Sequence, residues 1–226
     1  MTVDTSRRVF IQEVSPRDGF QIEPHWIETA DKIAFVNALS KTGLAKIEVS
    51  SFVSPKAVPS LRDAEEVFRR IDRHPGVLHV ALVPNLRGAE RAFAVGVDEI
   101  NFVMSASETH NRANMRMSCG QSLEALQEIL GAARSRPVRI NCGVATAFGC
   151  PFKGGQSPDR VLGFVERYLW RALRLCRKLK PMKPAATASP IQSIMSAPGN
   201  ALGGTRIVTA VTIRTARRGA DSGVNA

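Results

Sequence analysis

The stretch LHVALVPNLRGAERAFAVGVDEINFVM, residues 78–104, is an apolar run, a polar break, an amphipathic segment and a second apolar run. LHVALV (78–83) and EINFVM (99–104) have the length and the Val, Ile and Leu content of strands. NLRGAERAFAVG (85–96) between them spaces its apolar residues as a helix does. Strand, helix, strand in so short a span predicts a βα unit of a parallel sheet, because two parallel neighbours need a crossover and a helix supplies it.

The same grammar repeats on both sides. VFIQEV (9–14), AKIEVS (45–50) and VRINCGV (138–144) are further expected strands. TADKIAFVNALSKTG (29–43), LRDAEEVFRRIDRHPG (61–76) and SLEALQEILGAARSRP (122–137) are expected helices, the first capped by Thr29 and stopped at Gly43. Another is expected from Ser157 and Pro158 toward Pro181. Polar residues collect just after the strands, in SPRDG, SFVSPK, PN, SASETHN and ATAFGCPFKGG. In a (β/α)8 barrel those loops share one face and carry the chemistry, whereas a doubly wound sheet would also gather ligands there. Both architectures stay open on this pattern, although no Gly-rich fingerprint favours a dinucleotide site.

Charge divides the chain. Of the net +11, residues 169–226 carry +9, from ten Lys or Arg against the single acid Asp221. That segment scatters Pro, Ala, Ser and Gly without period, so it reads as a basic tail of low order in which only RIVTAVTI (206–213) resembles a strand. The expected division is 1–168 and 169–226. No apolar run is long enough for a membrane span, the N-terminus lacks a signal-peptide core, and Cys119, Cys142, Cys150 and Cys176 show no paired or metal-ligand spacing. These features predict a cytoplasmic protein with free thiols.

Arg17 and Asp18, in QEVSPRDGFQIEP (12–24), follow the first strand. Their chemistry suits an oxyanion-stabilising cation and a carboxylate for a hard divalent ion. Pro-Arg-Asp-Gly is also good β-turn chemistry, and from these residues alone both readings stand. The histidines His25, His74, His79 and His110 form no metal motif, and only His110 falls on the expected active face.

EVSPRDGFQIE, IEVSSFVSPKAVPSLRDAEEV, the segment from LVPNLRG to SASETHN, and GCPFKGG resemble the hydroxymethylglutaryl-CoA lyases in order and spacing, over about residues 9–168. The resemblance implies an α/β fold, a partial TIM (β/α)8 barrel of about five βα units with an irregular C-terminal tail. It implies cleavage of a 3-hydroxy-3-methylglutaryl-CoA-type substrate to acetyl-CoA and a keto acid, with Mg2+ or Mn2+ as cofactor. Arg17 and Glu48 would be catalytic, Asp18 a metal ligand, and Gln21, Ser51, Ser107 and Cys150 substrate-binding. Ser107 and Glu108 also read as a helix cap, Glu48 as a polar strand end and Cys150 as an apolar core residue. Lys153 stands where the motif usually has an acid.

The family's Asp-Thr strand, His-x-His metal pair and Gly-rich cysteine loop have no counterpart after about residue 168. The expectation is a frame shift or similar lesion there, an impaired activity, and exposed strand edges. Expected partners are an acyl-CoA and a further copy of the chain, with no membrane. The alternative, a dead fragment binding nucleic acid or an anionic surface through its tail, has charge in its favour, but no aromatic residue follows Trp170 to stack on bases.

Overall fold

The computed structural model describes residues 10–175 and the dipeptide Ile213–Arg214, with side chains as far as Tyr168. Strands β1 (Gln12–Glu13), β2 (Lys46–Ser51), β3 (Leu78–Leu82), β4 (Glu99–Ser105) and β5 (Arg139–Ala145) lie side by side in chain order, all parallel. Between and after them run α1 (Ser15–Ile22), α2 (Thr29–Leu39), α3 (Ala64–Arg70), α4 (Leu86–Ala94), α5 (Glu108–Met115), α6 (Cys119–Ala132) and α7 (Pro158–Leu175). A small antiparallel pair, β6 (Gly149–Cys150) with β7 (Gly154–Gly155), follows β5 in the chain as a separate sheet. The curled sheet with its helices is a partial (β/α) barrel.

Period-two alternation sorts the strands' side chains onto two faces. Ile47 and Val49, Ile100, Phe102 and Met104, and Ile140 and Val144 join one apolar cluster with Val36, Val67, Phe68, Ala89, Leu126 and Ile129 of the helices. The concave face is polar: Lys46 and Glu48, Glu99 and Asn101, and Asn141 project there. Lys46 and Glu99 are both buried and form an ion pair across β3. A bulge in β2 between Glu48 and Ser50 puts Ser51 level with Leu82, on the face that also holds Asn101 and Asn141.

Gly88 shows why α4 sits where it does. A Cβ at this position would lie 2.7 Å from the Phe52 carbonyl oxygen and 3.3 Å from Pro84 Cδ, so only glycine admits this approach of helix to loop. Gly88→Ala should destabilise the fold: overpacking costs about 1–3 kcal/mol against a helix-propensity gain of about 1. Gly131→Ala, in α6 with nothing within 4 Å of the new Cβ, should instead stabilise by up to about 1 kcal/mol. Urea midpoints of the two variants check both signs.

Several expected elements shift. Thr29 does not cap α2; it is the first helical residue, and its hydroxyl donates to Asp63 Oδ2 at 2.8 Å. The α2 helix ends at Leu39, short of Gly43, which takes φ +82° in the following turn. The α3 helix is shorter than the 61–76 pattern because Pro59–Leu61 forms a separate 3-10 turn and Ile71 is already extended. The α6 helix starts earlier than 122, where Ser118 and Gln121 make a reciprocal capping box. The RIVTAVTI run meets the described residues only at Ile213, and Ile213–Arg214 pairs antiparallel with Asn141 and Cys142 of β5. Residues 169–175 continue α7; the remainder of the tail, with its expected low order and lesion, and Cys176, lie outside the described residues.

Candidate active site

The SPRDGFQI segment is a helix rather than an isolated β-turn. Pro16 fits the first turn, Arg17 and Asp18 amides both donate to the Val14 carbonyl (3.0 and 2.8 Å), and Glu13 Oε1 accepts from the amides of Val14 (2.8 Å) and Ser15 (2.7 Å). The Ser15 amide bond, foremost, holds the Glu13 carboxyl below the usual range, despite some opposing burial. The cap fixes the helix on the end of β1 and thereby the direction of Arg17.

Arg17 reaches onto the concave face. Its Nε donates to Glu48 Oε1 and its Nη1 pairs with Asp18 Oδ1. Glu48 is 3% exposed, and its second oxygen accepts from Gln12 Nε2 (3.2 Å) and from Asn101 Nδ2. Asn101 Oδ1 in turn accepts from Asn141 Nδ2 at 2.8 Å. Four strands therefore contribute to one polar row that ends in a guanidinium at the rim. A buried carboxylate needs such donors, and both Glu48 oxygens are engaged by them.

Ser107 and Cys150 form a second pair. Ser107 caps α5, its Oγ accepting from the His110 amide at 3.4 Å, and Cys150 Sγ donates to the same oxygen at 3.0 Å. The Phe152 amide approaches Cys150 Sγ at 3.4 Å, and Ser105 Oγ lies 2.5 Å from His110 Nδ1. Burial raises the Cys150 thiol, but Ser107, the Phe152 and Lys153 amides and the Lys153 charge outweigh it and bring it below the ordinary thiol range. Burial pushes Cys119 and Cys142 up to about 12. At pH 8 Cys150 thus carries the larger thiolate fraction, and iodoacetamide should modify it well before Cys119 or Cys142. Peptide mass mapping reads the order; equal rates would contradict it.

Arg17, Asp18 and Glu48 are brought together, and so are Ser107 and Cys150, but no hydrogen bond or ion pair among the described residues joins the two sets. Ser51 is 1% exposed and spends its hydroxyl on the Leu82 carbonyl and the Val53 amide, both at 3.4 Å. Gln21 is exposed, and its backbone carbonyl accepts from Ser60 Oγ at 3.4 Å. Asp18 is 56% exposed and held by Arg17. Among the described residues no three His, Cys, Asp or Glu side chains converge as metal ligands. One exposed carboxylate does not make the oxygen-rich site that Mg2+ or Mn2+ requires, so the residues described do not fit the ion.

Gln12, Glu13, Asn101 and Asn141 were not among the expected site residues. Each is one of two polar residues in a strand-length run that is mostly apolar, a signal of a polar face but of no particular role.

Curvature, parallel strand order and intervening helices define a member of the (β/α)-barrel class. More narrowly, the chain belongs to the HMGL-like family, which it matches over residues 8–169. It is 46% identical to the hydroxymethylglutaryl-CoA lyase YngG of Bacillus subtilis over 71% of this chain and 54% of the relative. With the Pseudomonas aeruginosa 3-hydroxy-3-isohexenylglutaryl-CoA/hydroxy-methylglutaryl-CoA lyase it shares 44% identity over 69% and 52% of the two chains. A solved HMG-CoA lyase from A. baumannii, in complex with coenzyme A and 3-methylmalate, superposes with a TM-score of 0.69 at 51% identity, covering 72% of this chain and 53% of that one. The chain spans about half the length of these relatives.

Proposed function

We propose that residues 1–168 form the lyase-like part of an acyl-CoA carbon–carbon lyase, with 169–226 a basic tail, and that the reaction is cleavage of a 3-hydroxy-3-methylglutaryl-CoA-type thioester into acetyl-CoA and a keto acid. Family membership and the likeness to hydroxymethylglutaryl-CoA lyases support the reading. The observation that carries it is the guanidinium of Arg17, held by buried Glu48 at the rim of the sheet.

In this reaction the tertiary hydroxyl of the substrate loses its proton, and the resulting C–O bond takes on double-bond character. The adjacent C–C bond breaks, and its electron pair passes to the thioester fragment as an enolate, which is then protonated to acetyl-CoA. Charge develops on the thioester oxygen. A cation fixed beforehand stabilises that charge without reorganising during the step, which is the role assigned to Arg17. Glu48, Gln12, Asn101 and Asn141 hold its aim. Ser107 and Cys150 are assigned to the substrate, whereas Ser51 and Gln21 have no such support from their contacts. Mg2+ or Mn2+ remains part of the proposal, with Asp18 its one candidate ligand among the described residues and the rest of the ligand set to come from outside them. The cytoplasm is the proposed compartment; no helix among the described residues is long and apolar enough to cross a membrane.

The test is release of acetyl-CoA from 3-hydroxy-3-methylglutaryl-CoA, with Mg2+ or Mn2+ titrated, by the 226-residue chain and by a chimera that appends the B. subtilis relative's unmatched C-terminal part. The reading expects strong cleavage by the chimera and weak or no turnover by the shorter chain. A folded chimera that binds the thioester and does not cleave it would overturn the assignment.

A further inference from the structure

The loop after β2 and the first turns of α4 line a pocket of about 700 Å3 that opens to the surface, within the size range of small-molecule sites. Ser54, Pro55, Lys56, Asn85, Arg87 and Arg91 are among the residues lining it. Its three cations are of two kinds. Arg91 is committed: Nε and Nη2 donate to the two oxygens of Glu65 (2.5 and 2.8 Å), Nη1 donates to the Val53 carbonyl (3.3 Å), and the guanidinium lies 5.5 Å from the centre of the Phe52 ring. Arg91 in turn holds the Glu65 carboxyl below its ordinary range.

Lys56 and Arg87 are exposed, and neither has a side-chain hydrogen bond, ion pair or ring contact among the described residues. Two like charges at one concavity repel each other unless an anion sits between them. The end of α4 is already occupied, since Asn85 Oδ1 accepts from the Gly88 amide at 3.0 Å, so recognition falls to the two side chains. Arginine offers a planar fork and lysine a mobile point charge, a pairing suited to phosphate oxygens. The volume exceeds what bare phosphate fills.

We propose that this cavity binds a phosphate ester of nucleotide size through Lys56 and Arg87. It is distinct from the Arg17 row, because Phe52, on its floor, packs its ring against Phe68 in the outer apolar cluster, whereas Glu48 faces the concave side. Two sources share the chemistry: a free nucleotide, and the adenosine bisphosphate end of an acyl-CoA thioester.

Titration calorimetry on the intact chain at low salt, with adenosine 3′,5′-bisphosphate, acetyl-CoA and inorganic phosphate as separate probes, tests the site. The bisphosphate should bind with a Kd below about 1 mM, more tightly than phosphate, and at least about tenfold more weakly to the Lys56→Ala/Arg87→Ala variant. Because the chain is strongly basic, Lys41→Ala/Arg69→Ala serves as a variant of equal net charge and should bind as the parent does. Arg17→Met should leave bisphosphate binding unchanged, so failure of the lyase assignment would not touch this result. If acetyl-CoA binds more tightly than the bisphosphate and is weakened at least about tenfold in Lys56→Ala/Arg87→Ala, the ligand is the acyl-CoA; without such a surplus it is a free nucleotide. No binding at about 5 mM, or equal weakening in both double variants with native circular dichroism, would overturn the proposal.

Discussion

Replacing Arg17 with Met in the chimera should lower kcat by about 10^2 to 10^3 while changing KM much less. Removing a preorganised donor to a developing oxyanion has that effect in other enzymes, and the interaction is made mainly in the transition state. Arg17→Lys should recover only part of the loss, because an ammonium cannot keep the Nε contact to Glu48 and the Nη1 contact to Asp18 in one plane. Stability should fall less than activity, since Gln12 Nε2 and Asn101 Nδ2 still donate to the Glu48 carboxylate that Arg17 leaves behind. Steady-state kinetics on the three proteins measure this. A loss confined to KM would show that Arg17 only binds substrate.

The largest effect on stability is expected at the lower layer of the concave face. Lys46 is 6% and Glu99 2% exposed, and each is the other's partner. Lys46→Met leaves the Glu99 carboxylate buried without its counter-ion, which costs about 3–5 kcal/mol. The double replacement Lys46→Met/Glu99→Leu removes the charge together with its partner and should recover most of that loss. Denaturant unfolding of the parent, the single and the double variant closes the cycle. Additive losses would show that the two side chains do not interact.

The sheet was legible because its strands are buried on their outer face and read as short Val and Ile runs whose order the helices between them require. Helices α1 and α5 were not read from the sequence. SPRDGFQI contains Pro and Gly, and ETHNRANM is mostly polar; both are fixed by groups outside their own pattern, Glu13 at the start of α1 and Ser107 at the start of α5. Arg17, Asp18 and Glu48 are grouped through resemblance, and in the structure Arg17 pairs with both carboxylates. The row behind Glu48 was missed because an asparagine in EINFVM or VRINCGV is unremarkable in one strand and becomes a donor only when the strands curl. Ser51 is grouped with the site through resemblance, and the β2 bulge brings its hydroxyl within 3.4 Å of the Leu82 carbonyl.

The central claim is that Arg17 stabilises negative charge on a thioester oxygen. Exchange of the acetyl-CoA methyl hydrogens for deuterium in D2O, followed by mass spectrometry with a buffer base to remove the proton, tests that charge stabilisation apart from bond cleavage. Exchange that is accelerated by the 226-residue chain and falls toward the buffer rate in Arg17→Met is the predicted result. Equal exchange with the two folded proteins, at concentrations where both bind acetyl-CoA, would contradict it.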